Sequence, residues 1–397
     1  MEPRRFKPCS TSVLISLLGA FLLPLLLNAQ NYFQTNLVSN SSAIPAAHID
    51  PNLVNPWGMV QTGTSPFWVS DQVTNKSTLY MGTGAAVPLV VNIPPTSGSP
   101  NGPTGVVANT GTGFPLPAAS GSGTVSSRFI FDNLNGQLYG WNPMSTGGTA
   151  NAVVTVTTPG AAYTGLAING TGSLLYAADF TPAGGVDVLN SQWQSQGKLP
   201  ALPSNISLPS NYQPYNVADI NGTLFMAYDP LLTSGPLAGK LPELGDGNGA
   251  VIKFDPTTMT YSELVAPGVG DGLNVPWGFA MAPSDFGKFS GDLLVGEFGN
   301  GWISAYNPTN GNFDGYLTDD SGMPIADGGL WTIVFGSGNA GTQTNALYIT
   351  AGITQPFQTE GLLAEIQATP EPATLALFGS GLLVLGLMIY RRRRIEE

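Results

Sequence analysis

A short signature returns six times along this chain, and it constrains the fold more than any other feature. It reads as Pro-x-Gly, or a variant, followed by small or apolar residues. It appears as PWGMV from Pro56, PTGVV from Pro103, YTGLA from Tyr163, PYNVA from Pro214, PWGFA from Pro276 and LWTIV from Leu330. The central residues are Trp57, Thr104, Thr164, Tyr215, Trp277 and Trp331, spaced 47, 60, 51, 62 and 54 apart, or about 55 on average. A repeat of that length suits one four-stranded blade with its loops, and such units bury their faces only against one another.

The strands inside each repeat agree with this. In the fifth, the signature leads to LLVGE from Leu293, WISAY from Trp302 and NFDGYL from Asn312. The fourth runs PYNVA, LFMAYD, AVIKFD and YSEL in the same order. Gly-Asn, Asn-Gly and Asp-Pro pairs between them supply the chemistry of tight turns, and no stretch of the body shows a sustained helical period. Gly and Pro number 51 and 33 of 397 residues, yet 42% of the chain is hydrophobic, so a turn-rich chain still has the means to build a core. The sixth repeat has only three candidate strands, LWTIVF, ALYIT and GLLAEIQ, while YFQTNLVS from Tyr32 stands unused at the start of the body. The expectation is an all-β, six-bladed β-propeller over residues 30–369, its ring closed by the N-terminal strand. Closure matters because an open ring leaves two long sheet edges unpaired. A β-helix and a pair of β-sandwiches are the competing folds.

Both ends of the chain carry delivery signals. Arg4, Arg5 and Lys7 precede an apolar run at 13–27, and Ala29 offers a small residue for cleavage before Gln30, the pattern of a signal peptide over 1–29. At the other end, residues 373–390 form 18 positions without a charge, about the minimum for a transmembrane helix. Arg391, Arg392, Arg393 and Arg394 follow and predict a cytoplasmic terminus with the body outside. Pro370, Glu371 and Pro372 stand just before the helix, which holds a central Gly-Ser-Gly. This Pro-Glu-Pro, apolar helix and Arg cluster over 370–397 resembles the PEP-CTERM sorting signal of Gram-negative bacteria. The resemblance implies an exosortase-type sorting protease as partner, an inner-membrane-anchored intermediate, and delivery to the cell surface or extracellular matrix. The body also resembles a propeller-like family, uncharacterised in activity, that carries this tail.

Charge narrows the partners. Between residues 30 and 369 stand 21 acids against six basic residues, so the body carries about −15. Nucleic acid is excluded as a partner, since phosphate binding needs clustered Lys and Arg. The only cysteine, Cys9, lies in the leader, which excludes disulfides, Cys-ligated zinc and a thiol nucleophile from the body.

The signature opens the innermost strand of each blade, and the second strand returns to the same face. Five of those second strands end in an acid: Asp71, Asp132, Asp179, Asp229 and Glu297; the sixth ends at Ala351. Five like charges around one mouth would raise one another's pKa, and a cation such as Ca²⁺ would relieve them. Asn55, Asn216 and Asn274 share that face as further oxygen ligands. The competing reading is turn chemistry, in which an Asp bonds its own backbone. Trp57, Trp277 and Trp331, with Asn216, are candidates for an aromatic platform that binds sugars, against the alternative of blade core. LGDGNGA from Leu244 has half the look of an EF-hand loop but lacks its ligand spacing and closing Glu. His48, the sole histidine, sits in a Pro-flanked loop and fits a surface or packing role better than a catalytic one. The expectation for function is a non-catalytic binding or scaffold module of the matrix, with polysaccharide as a candidate ligand. The rival is a Ca²⁺-dependent hydrolase resembling lactonases of the six-bladed class, an analogy of fold alone.

Overall fold

The computed structural model describes residues 31–95, 101–235, 238–239, 241–268, 270, 272–353, 359–369 and 381. Its contacts divide the chain into two units, Ala29–Pro370 and a second made of Met1–Asn28 with Glu371–Glu397. The expected signal peptide and the sorting residues fall outside the described residues, as does the candidate transmembrane helix except for Gly381. Among the described residues, no helix is long and apolar enough to cross a membrane.

The first unit is a six-bladed propeller. From the inside outward, blade 1 is Pro56–Val60, Phe67–Asp71, Lys76–Tyr80 and Val91–Asn92. Blade 2 is Pro103–Ala108, Phe129–Asn133, Gln137–Trp141 and Val153–Thr157. Blade 3 is Tyr163–Ile168, Leu174–Asp179, Gly185–Asn190 and Ser195–Lys198, and blade 4 is Tyr212–Ile220, Thr223–Pro230, Ala250–Asp255 and Thr260–Val265. Blade 5 is Pro276–Met281, Leu293–Glu297, Ile303–Tyr306 and Phe313–Tyr316. Blade 6 takes Leu330–Phe335, Ala346–Ala351 and Leu362–Ala368 from the end of the body and Tyr32–Ser39 from its beginning. The unused strand therefore closes the ring, antiparallel to Leu362–Ala368 from the Tyr32–Ala368 pair to the Ser39–Leu362 pair. Tyr32 fastens it further: its ring lies between Phe286 and Phe289, and its hydroxyl donates to the Phe286 carbonyl at 2.9 Å. Two elements had no sequence signal strong enough to read: a fifth strand on blade 6, His48–Ile49, and a hairpin of Pro115–Pro117 with Thr124–Ser126.

The signature encodes a bulge. In all six blades the pairing between inner and second strand slips at the central signature residue, as between Pro56 and Met59 or Pro276 and Gly278. A bulge releases that residue from the ladder and re-aims its side chain. The following glycine has a separate reason: a Cβ at Gly278 would stand 2.5 Å from the Trp331 carbonyl oxygen, and one at Gly58 would stand 2.7 Å from that of Thr104. Inner strands of adjacent blades touch backbone to backbone there. Blades 4 and 6 carry Asn216 and Thr332 instead, and both side chains bond across the seam. Asn216 Nδ2 donates to the Trp277 carbonyl at 2.6 Å, and Thr332 Oγ1 donates to that of Trp57 at 2.9 Å. Apolar cores fill the wedges between blades, such as Trp68 stacked on Phe129 at 3.9 Å between blades 1 and 2.

Candidate functional site at the two ends of the channel

At the end where the inner strands begin, aromatic rings stopper the channel. Trp331, 1% exposed, stacks on Trp57 at 3.8 Å and packs against Phe298 at 4.3 Å, Trp277 at 5.7 Å and Tyr215 at 6.2 Å. Its Nε1 donates to Asn55 Oδ1 at 2.8 Å, and Trp277 Nε1 reaches across to the Thr164 carbonyl at 3.0 Å. Trp57, Trp277 and Trp331 are thus core, which corrects the expectation of an exposed platform. Four of the six bulged residues are aromatic, and rings aimed at one axis gain more by covering one another than by facing water.

The five acids stand at this same end. Asp71 pairs with Pro56, Asp179 with Tyr163, Asp229 with Gln213 and Glu297 with Pro276, while Asp132 precedes the Asn133–Pro103 pair. All five are buried. Each sits beside the bulge of its own blade, and three have local partners. Asp132 accepts from the Thr104 hydroxyl at 2.7 Å and from the Gly105 amide. Asp179 accepts from the Ala162 amide at 3.0 Å and meets Lys198 Nζ at 3.3 Å. Glu297 Oε2 accepts from the Asn274 amide at 2.8 Å.

Neither oxygen of Asp71 or of Asp229 makes a well-formed hydrogen bond. Burial raises the carboxyl of Asp71 well above its usual range, against partial relief from Thr78, and it raises that of Asp229 with help from the nearby Glu297 charge. Asp132 is pushed up by burial to about 7, with its Thr104 and Gly105 bonds pulling the other way. Among the described residues, no three His, Cys, Asp or Glu side chains are grouped so that they could hold a metal ion. The acids share a face but not a point, so the expected single Ca²⁺ has no ligand cluster. The asparagines are also committed: Asn55 to Trp331 and Gln72, Asn216 to Trp277, and Asn274 Oδ1 to the Gly245 amide.

The other end of the channel is open. A cavity of about 440 Å³ runs from the stopper to the loops that follow the inner strands, lined by residues such as Val60, Gln61, Thr110, Ile168, Asp219, Trp277 and Phe279. Every inner strand is the terminal strand of its sheet, so six sheet edges border the axis, and side chains of the next blade take some of their groups, as Thr332 Oγ1 takes the Met59 amide at 3.0 Å. Asp219 is the one ionisable side chain in that lining. The loops at 61–66, 109–113, 169–173 and 336–345 contain no ionisable residue at all. Sequence reasoning passed over this end, although uncharged, Asn-, Thr- and Gly-rich loops after four of the six signatures were there to be read.

The remaining candidates have structural settings. LGDGNGA is a turn tied to the loop before blade 5, with the Gly247 amide donating to the Leu273 carbonyl at 2.9 Å. His48 is exposed in the short fifth strand of blade 6.

Residues 368–394 match the PEP-CTERM protein-sorting motif. That motif implies export, sorting to the cell surface and processing by an exosortase. The chain is also similar to two uncharacterized proteins of Acanthamoeba polyphaga mimivirus. It is 27% identical to R648 over 372 residues, 91% of this chain and 88% of the relative. It is 29% identical to L690 over 301 residues, 74% and 76% of the two chains. Among solved structures, a streptogramin B lyase aligns at 10% identity and a TM-score of 0.47, over 86% of this chain and 99% of that one.

Proposed function

We propose that this chain is an exported binding module of the cell surface or extracellular matrix, with polysaccharide as its partner class. The tail delivers the propeller, and the propeller presents the binding site. The observation that carries this reading is the joining of a sorting motif at 368–394 to a rigid ring with one stoppered and one open channel end. A rigid scaffold with a concave, largely apolar pocket and a few polar groups is the ordinary form of a ligand site. The rival reading, a Ca²⁺-dependent hydrolase, needs carboxylates gathered on one ion. The five acids are instead shared out among five blades and buried beside their own bulges.

The test has two parts. Fractionation of cells carrying the intact chain and a chain lacking 370–397 should show the intact form at the surface and the truncated form lost from it. Surface display of both forms equally would sink the sorting role. Melting of the purified protein with Ca²⁺ and with a chelator should give one midpoint. A rise with Ca²⁺ of the size expected for tight native-state binding, about 2.7 kcal/mol at 100 times the dissociation constant, would return the hydrolase to first place.

A further inference from the structure

We infer that the open channel end receives the terminus of an uncharged, hydroxyl-rich chain, that is, the end of a neutral glycan; this rests on the binding role proposed above. The site lies at the opposite end of the ring from the acids and tryptophans that the sequence brings forward.

Four observations converge on it. The cavity is blind, because the Trp331 cluster fills the channel behind it, so a polymer can enter by its end but cannot pass through. Its walls are the edges of six inner strands, and Gln61, Thr62 and Thr110 stand in the lining with hydroxyl and amide groups that donate and accept. Sugar hydroxyls both donate and accept, and so can use either kind of group. Apolar side chains such as Val60, Ile168 and Val334, each partly exposed, line the cavity and offer surface to sugar C–H faces. Charge is nearly absent: the lining holds Asp219 alone, while the exported body as a whole carries about −15 and repels polyanions.

Asp219 is well placed for recognition. It is partly exposed at the mouth, and its Oδ1 accepts from the Gly222 amide at 2.9 Å, which fixes the carboxylate and leaves Oδ2 to accept from a ligand hydroxyl. A cavity of about 440 Å³ falls within the range of small-molecule sites and suits a terminal segment better than a long stretch of chain.

The experiment is calorimetric titration of the full chain with linear neutral oligosaccharides of glucose, mannose and galactose, and with a cyclic glucan that has no end. At least one linear series should bind, and the cyclic compound should not. Thr110→Trp, which fills the mouth at an exposed position, and Asp219→Asn should each weaken that binding at least tenfold. Both variants should keep the wild-type melting midpoint within a few degrees. If the cyclic compound binds equally well, or if both variants bind like the wild type, the ligand sits elsewhere and the inference fails, though the binding role stands. If no linear oligosaccharide binds, or a basic peptide takes its place at the mouth, the assignment to neutral glycan is overturned. Capture of native matrix polymer by the same full chain then decides separately whether the broader role survives.

Discussion

The two ends of the channel are made from the same six strands, yet they are opposite in character. Where the inner strands begin, bulges turn Trp57, Tyr215, Trp277 and Trp331 inward and four of five nearby acids are completely buried. Where the same strands end, the channel is open, Asp219 is the one ionisable side chain of the lining, and the loops at 61–66, 109–113, 169–173 and 336–345 carry amides and hydroxyls without charge. The loop at 282–292 carries Asp285, Lys288 and Asp292. One end is packed shut, and the other is open. Dense packing and the open cavity are thus separated along one axis.

That separation predicts a graded set of outcomes. Trp331→Ala removes the ring on which three other aromatic residues and Phe298 rest, and should cost about 3–5 kcal/mol in urea unfolding. A loss under about 1 kcal/mol would show that the stopper is dispensable. The buried acids should make the protein less stable at neutral than at acid pH. A carboxyl whose folded pKa is raised contributes its stability in full below the unfolded value near 4 and loses it as pH rises through the folded value. For Asp132, with a folded value of about 7, the loss between pH 4 and 7 is on the order of 4 kcal/mol. Asp132→Asn keeps an oxygen for Thr104 and Gly105, so its stability should fall less steeply over that window. An unchanged slope in the variant would mean that Asp132 is ionised in the fold.

Smaller effects should follow further from the axis. Gly278→Ala forces a methyl against the Trp331 carbonyl and should cost about 1–3 kcal/mol. Lys198→Met removes the cation beside Asp179 and should cost about 1 kcal/mol, since the Lys side chain is 40% exposed. Thr110→Ala, at the open mouth, should leave stability within about 0.5 kcal/mol. A mouth substitution that destabilises as much as one in the stopper would abolish the distinction between the two ends.

The ring was readable from Trp57 to Trp331 because a bulged strand start needs a special local sequence each time, and six copies at blade spacing leave few alternatives. The closing strand was readable by subtraction, since the sixth repeat lacked a fourth strand and Tyr32–Ser39 lacked a partner. The burial of the acids and tryptophans was not readable, for a related reason. Asp71, Asp229 and the tryptophans are the most distinctive residues of the repeats, and distinctive residues here serve the bulge. His48–Ile49 was too short to carry a pattern, and its parallel pairing with Val38 and Ser39 is a long-range event that no local period announces.

The amino-acid sequence by itself determined the number of blades, the order of strands, the means of closure and the acidic, cysteine-free character of the body. Each of these depends on local turn chemistry, alternation or composition. Only the tertiary structure decided which end of the channel is closed. That outcome depends on four aromatic side chains from four blades meeting at one axis, and on whether Asp229 and Glu297 find a cation, a proton or a backbone amide there. Sequence places such groups on the same face; packing alone determines whether they meet water, one another or a ligand.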